Sequence, residues 1–391
     1  MRAVIAAAAR TPIGAFQGGL AGLKAGELGA AAIEGALERA GVGPGDVDGV
    51  FMGNVLQAGQ GQAPARQAAI FAGLDVRTPA VTINKMCGSG MEAIVQAVRA
   101  VRLGDAEVVV AGGMESMTNA PYLLPGARGG LRLGDAKVVD SLIHDGLWDV
   151  YNDKHMGSCA ETCARRYAFS REAQDDFAER SYRRAQAATE DGTFASEIVP
   201  VEVKGRRGEV TVVERDEGPY VVDFEKMRKL RPAFEEGGTV TAANASTIND
   251  GAAALVIASE EAARRRGLPV LAVIEGYAAH GEEPEWFTVA PVGATKGLLR
   301  RVGWQPSEVD VYEVNEAFAV VPMAYMQELG LEPERVNVLG GAVALGHPIG
   351  ASGARIVVTL LSAMRARGAR RGVAAICIGG GEALALAVSV P

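Results

Sequence analysis

Residues 35–50, GALERAGVGPGDVDGV, match residues 297–312, GLLRRVGWQPSEVDVY, at a constant separation of 262. Gly41 falls on Gly303 and Asp48 on Asp310. Further on, Ser89-Gly90 falls on Ser352-Gly353. The Ala-Gly-Gly-Met-Glu run ending at Glu115 falls on the Ile-Gly-Gly-Gly-Glu run ending at Glu382, so the separation grows by only a few residues. Two related halves in one chain are the economical reading.

Each half reads as helix, strand, turn, helix, strand. The second helices share an apolar stripe, Ala93, Ile94, Ala97, Val98 and Val101 against Ile356, Val357, Leu360, Leu361 and Met364, spaced to face a core. Runs such as 107–111 and 373–378 are almost continuously apolar, the pattern of strands covered by helices on both faces. The expected fold is therefore layered α/β, built twice. Residues 118–243 have no counterpart at the repeat distance, and 170–189 carry a polar helical pattern, so this stretch reads as an inserted lobe. The expected division is 1–117 with 244–269 for the first half, 118–243 for the insertion and 270–391 for the second half.

The chain has 391 residues, 48% of them hydrophobic, and a formal net charge of -8. That charge argues against a general nucleic-acid binder, which needs a basic face to neutralise phosphates. An anionic ligand must find local basic surface. The run Lys226, Arg228, Lys229 and Arg231 in the insertion is one place for it, and equally reads as a solvated face. Four cysteines, at 87, 159, 163 and 377, are too few for a disulfide framework and fit a reducing compartment. The first nine residues read as a strand rather than a cleavable signal, and no apolar run approaches the roughly 20 residues of a membrane span. The expectation is a cytoplasmic chain without a membrane partner.

Cys87 lies where a strand ends in a small-residue turn before an amphipathic helix from about Met91. A helix N-terminus favours the thiolate, the nucleophilic form. A cysteine among apolar residues is otherwise a small buried hydrophobe. His347, in Gly-His-Pro-Ile-Gly at 346–350, is one of four histidines and lies three residues before the position that the repeat matches to Cys87. It reads as a proton acceptor for a neighbouring thiol, or as a packing histidine. Cys377 ends an apolar strand before three glycines and is matched by the repeat to Val110; it reads as a second proton-transfer group, as a buried strand residue, or as a disulfide partner of Cys87. The glycines after it offer backbone donors to an oxyanion. Asn315, matched to Gly53, is placed to orient a water or a histidine, or to cap a helix.

Taken together, Cys-Gly-Ser-Gly at 87–90, Asn-Glu-Ala-Phe-Ala at 315–319, Gly-His-Pro-Ile-Gly at 346–350 and Cys-Ile-Gly-Gly-Gly at 377–381 resemble the four active-site blocks of the thiolase family, in order and spacing over essentially the whole chain. The resemblance implies two pseudo-symmetric βαβαβαββ-type halves in an α-β-α-β-α sandwich with an inserted loop lobe. It implies a reversible Claisen condensation of two acetyl-CoA to acetoacetyl-CoA and CoA through an acyl-Cys87 thioester. His347 would accept the Cys87 proton and Cys377 would deprotonate the second acyl-CoA. The amides of Cys87 and Gly379 would hold one oxyanion, and His347 with a water on Asn315 the other.

The resemblance further assigns Leu147, His155, Met156, Ala243, Ser246 and Phe318 to the pantetheine and acyl pocket. Coenzyme A and acyl-CoA enter as substrates, with no tightly bound cofactor and no metal. His155, Cys159 and Cys163 do share one helical face, but one helix rarely supplies three ligands and no fourth is evident. The Trp286-Phe287 segment is similar to that of mitochondrial-type acetoacetyl-CoA thiolases, and the region around Tyr220 lacks an arginine often used against adenine. Residues 122–142 resemble the tetramerisation loop of the biosynthetic subgroup, which implies a dimer of dimers. A degradative 3-ketoacyl-CoA thiolase of broader chain length shares every catalytic residue. A non-catalytic acyl-CoA binding protein on the same fold would need no second thiol.

Overall fold

The computed structural model describes residues 1–205 and 207–391. Nine strands form the path of the main sheet: β1 (Ala3–Arg10), β2 (Gly49–Gly53), β3 (Ala80–Ile83), β4 (Val108–Ser116), β5 (Asn249–Ser259), β6 (Ala272–Gly281), β7 (Val311–Val314), β8 (Arg371–Ile378) and β9 (Glu382–Ser389). Their spatial order is β7-β8-β9-β6-β1-β5-β4-β2-β3. Helices that matter for the site are α1 (Ala25–Ala40), α2 (Ser89–Leu103), α3 (Met156–Tyr167), α4 (Arg171–Glu190), α5 (Ala290–Val302), α6 (Val320–Leu329) and α7 (Ile349–Arg367).

The strand order is two copies of one arrangement placed back to back. β3-β2-β4-β5-β1 belongs to the first half and β7-β8-β9-β6 to the second, joined where β1 pairs antiparallel with β6 at Ala3↔Ile274, Val4↔Val273 and Ile5↔Ala272. The second-half counterpart of β3 is reduced to a single bridge between Tyr312 and Val336. Helices α2 and α7 pack against each other, and α7 touches strands of both halves. Their apolar stripes fill the core between the two parts of the sheet, while α1 covers the outer face of the first half and α5 and α6 that of the second. Five layers result, as the resemblance implies. Helix α7 is long and apolar enough to cross a membrane by composition, yet 83% of that stretch is buried inside the protein.

Strand register corrects one detail of the repeat. Val50 pairs with Val110 and Tyr312 with Val373. The same aspartate clamp recurs: Asp48 Oδ2 accepts from the Glu107 and Val108 amides at 2.7 and 2.9 Å, and Asp310 Oδ2 from the Arg370 and Arg371 amides at 2.8 Å each. By these ladders Cys377 corresponds to Met114, not to Val110. Matching the two glycine runs by composition misleads because Gly112 and Gly113 lie within β4, whereas residues 379–381 form the turn after β8. The helices cross where the repeat puts Ser-Gly. A Cβ on Gly90 would lie 2.7 Å from the Ala354 nitrogen, and one on Gly353 2.5 Å from that of Met91, so only glycine permits this approach.

Within 118–243, the polar helical pattern is realised as α4, capped by Ser170 Oγ accepting from the Ala173 amide at 3.1 Å. This stretch is tied to the first strand by charge. Arg10, fully buried, donates to Glu197 at 2.6 Å and in a fork to Asp216 at 2.7 and 2.8 Å.

Candidate active site

After β3 the chain makes a turn that the side chain of Ser89 closes. Its Oγ accepts from the Lys85 amide at 2.8 Å and donates to the Met86 carbonyl at 2.6 Å. Met86 is held at φ 47, a left-handed conformation that a residue with a Cβ adopts at a cost of about 1–2 kcal/mol. Cys87 follows at once, so this turn aims its side chain. Lys85 Nζ meets Glu382 Oε2 at 2.5 Å, which fastens the turn to the start of β9.

The equivalent turn in the second half carries His347. Its amide donates to Asn249 Oδ1 at 3.0 Å, and its Nδ1 lies 2.6 Å from Ser352 Oγ. Ser352 donates its one hydrogen to the Pro348 carbonyl at 3.0 Å, so it accepts from Nδ1–H. That tautomer leaves Nε2, buried and without a partner among the described residues, as the free acceptor.

Cys377 and Asn315 end neighbouring strands at the same edge. Cys377 is fully buried, lies against the Ala317 amide, and is near enough to Cys87 that a thiolate there would oppose its ionisation. The Gly379 amide reaches the Cys87 sulfur. Asn315, also fully buried, anchors its amide to the Ala375 carbonyl at 3.0 Å, while its Nδ2 has no partner among the described residues. All four cysteines are free thiols, so the alternative Cys87–Cys377 disulfide is not formed.

Cys87, His347 and Gly379 border one cavity of about 540 Å³. Leu147, His155, Met156, Ser246 and Phe318 line it too. Ala243 is buried and does not line it; Ala242 and Ala245 do. Cys377 and Asn315 stand behind this lining rather than in it. The walls are largely apolar and include an aromatic cluster: His155 stacks on Phe234 at 4.8 Å, and Phe318 meets Phe234 and Phe287 edge-on at 6.0 and 6.3 Å. An apolar cavity of this size with a few polar groups in its wall suits an extended acyl-bearing arm.

Burial sets the resting protonation of the site. It pushes the Cys87 thiol up to about 11 and raises Cys377, against the partial pull of the Gly379 and Cys87 amides on the first. Burial, with the nearby positive charge of Arg355, brings His347 down to about 3. At rest the site therefore holds two neutral thiols and a neutral imidazole. At Cys87 desolvation outweighs the two amide donors that favour the thiolate.

The sequence reading passes over several supporting residues. Glu115 accepts from Asn54 Nδ2 at 2.7 Å and from the amides of Val55, Leu56 and Gly350 at 3.0, 3.2 and 2.9 Å, binding a first-half loop to the start of α7. Burial raises its carboxyl to about 7. Ser352 was visible only as a repeat match to Ser89, which gives no sign of its histidine contact. In the basic run, Arg228 pairs with Asp176 and Glu179 at 2.8 and 2.7 Å, and Lys226 with Asp223 at 3.0 Å, which leaves Lys229 and Arg231 exposed. His155 caps α3 through Nδ1 from the Gly157 amide at 3.0 Å, and Cys159 and Cys163 are buried in the core beside that helix.

Residues 3–261 match the thiolase N-terminal domain and residues 268–390 the thiolase C-terminal domain. The acetyl-CoA acetyltransferase of Pseudomonas aeruginosa is 53% identical over 387 residues, covering 99% of this chain and 98% of that protein. A thiolase from Ascaris suum, solved in complex with coenzyme A, superposes with a TM-score of 0.95 at 45% identity over 100% of both chains. The acetyl-CoA acetyltransferase of Bacillus anthracis does so with a TM-score of 0.97 at 42% identity, covering 99% of this chain and 98% of that one. With both family domains matched end to end and full-length relatives at this identity, the chain belongs to the thiolase family.

Proposed function

We propose that this chain is an acetyl-CoA C-acetyltransferase that joins two acetyl-CoA into acetoacetyl-CoA and CoA, reversibly, through acyl-Cys87. The observation that carries the reading is the convergence of Cys87, the free Nε2 of His347 and the Gly379 amide on one apolar cavity, with Cys377 directly behind. Cys87 Sγ attacks the thioester carbonyl as its proton passes to His347 Nε2, and the amides of Cys87 and Gly379 take the oxyanion. The departing CoA sulfur takes the proton of Cys377, leaving a thiolate. That thiolate removes a proton from the methyl carbon of a second acetyl-CoA, whose enolate oxygen rests on His347 and a water held by Asn315. The enolate carbon attacks the acyl group, and Cys87 leaves with the proton returned by His347. Both thiols end as they began.

Leu147, His155, Met156, Ser246 and Phe318 would hold the pantetheine arm, and CoA passes through as substrate rather than as a resident cofactor. Tyr122, Leu131 and Leu133 are exposed, the last at 101%, which supports a tetramer-forming role for 122–142 and a dimer of dimers. We place the enzyme in the cytoplasm, in fatty-acid and short-chain acyl-CoA metabolism. The divisions 1–117 with 244–269, 118–243 and 270–391 are our working domain limits, the middle one for CoA binding and assembly.

Steady-state thiolysis of acetoacetyl-CoA beside longer 3-ketoacyl-CoAs, with Cys87→Ala as control, tests this. The reading requires Cys87-dependent turnover, falling by at least about 10³-fold in the variant and declining steeply beyond four carbons. Equal or higher rates on longer chains make the enzyme a degradative 3-ketoacyl-CoA thiolase. Ligand binding with no turnover on any substrate makes it a binding protein.

A further inference from the structure

We propose that Arg355 is a positioning residue of this site: its guanidinium fixes the amide of Asn315 so that Nδ2 alone is presented to the reacting groups. The inference rests on the acetyl-transfer reading and adds a residue to it. Arg355 lies on α7, 2% exposed, and donates from Nη1 to Glu313 Oε1 at 3.0 Å and from Nη2 to Asn315 Oδ1 at 3.4 Å. A guanidinium has donors only. It therefore decides which way the neighbouring amide points: Oδ1 must face Arg355, and Nδ2 must face away. Nδ2 is the atom left buried and unpartnered among the described residues, as is Nε2 of His347. Once Nε2 has taken the Cys87 proton both nitrogens are donors without protein partners, and together they would hold an oxyanion and its water.

The repeat supplies an internal control. By the strand and helix registers, the first-half positions equivalent to Glu313, Asn315 and Arg355 are Phe51, Gly53 and Glu92. The same strand-helix contact is thus built without a buried ion pair where no oriented amide is needed. Scaffold packing alone does not call for Arg355.

A positioning group that slips by about 1 Å can cost ~10²-fold in rate. Removing only Arg355 would leave the Glu313 carboxyl, which burial already raises to about 8, without its partner, so the variant to make is Glu313→Gln/Arg355→Met, alone and combined with Asn315→Ala. Two rates are read on purified protein: release of the first CoA from acetyl-CoA, which reports acylation of Cys87, and formation of acetoacetyl-CoA. We expect acylation within about threefold of the parent and condensation lower by ~10²-fold, with the triple variant no slower than Asn315→Ala by more than about threefold. Arg355→Lys keeps the charge against Glu313 but not the fork, and must show the same split, which covers a double variant that does not fold. Equal losses in both rates, or losses that multiply in the triple variant, overturn the role of Arg355. A parent enzyme without Cys87-dependent turnover overturns the acetyl-transfer reading along with it, and is recognised before any variant is compared.

Discussion

The turns at 84–90 and 347–353 occupy equivalent places in the two halves, yet their shared serine acts differently in each. Ser89 closes its own turn, bonding the Lys85 amide and the Met86 carbonyl, and the strained Met86 then projects Cys87. Ser352 keeps one backbone bond and turns its oxygen to His347 Nδ1. A duplicated scaffold thus supplies two turns that each lead into a core helix, one from a strand and one from a short helix, and what stands within a few residues of the serine decides whether the turn presents a thiol or an imidazole. The crossing of α2 and α7 at Gly90 and Gly353 then brings both to one cavity.

The sharpest way to break this comparison is to remove the two serines separately. Ser352→Ala frees the histidine tautomer and should lower condensation and thiolysis by ~10²-fold, whereas Ser89→Ala should cost mainly about 1 kcal/mol of stability. Equal kinetic losses in both would mean that Ser352 does no more than close a turn.

A smaller effect lies in the thiol itself. Cys87 is pushed up to about 11 and His347 down to about 3, so the unliganded site holds no thiolate–imidazolium pair. Below its pKa, the thiolate fraction of a thiol rises about tenfold per pH unit. Alkylation of Cys87 by iodoacetamide should therefore keep rising from neutral pH towards pH 10. A plateau near pH 7 would reveal a preformed ion pair and contradict the neutral resting site.

Smallest is the strain at Met86. Glycine tolerates φ 47 but lacks the methionine packing, so Met86→Gly should change unfolding free energy by no more than about 1 kcal/mol. Met86→Val, β-branched in a left-handed conformation, should lose about 2 kcal/mol in denaturant melts. The reverse order would remove strain from the account of how Cys87 is aimed.

Much of this comparison was legible in the chain. The repeat predicted a doubled layered fold, and Cys87, Asn315, His347 and Cys377 each sit at a strand end or turn whose small residues mark it. What stayed hidden depends on contacts between distant elements. Glu115 binding Gly350, Ser352 turned to His347, and Arg355 holding Glu313 and Asn315 have no local signature, since each is an ordinary residue until folding buries it beside its partner. The substitution of Ala242 and Ala245 for Ala243 in the cavity wall is a question of which way a loop faces, and the mismatch of Cys377 with Val110 arose because glycine serves a strand in one half and a turn in the other.

The division of labour between the halves is tested most directly by mass spectrometry of Cys377→Ala mixed with acetyl-CoA. With the nucleophile, His347 and the amide donors intact, the account predicts one acetyl group retained on Cys87 and no acetoacetyl-CoA formed. An unmodified Cys87, or acetoacetyl-CoA produced at the parent rate, would contradict it.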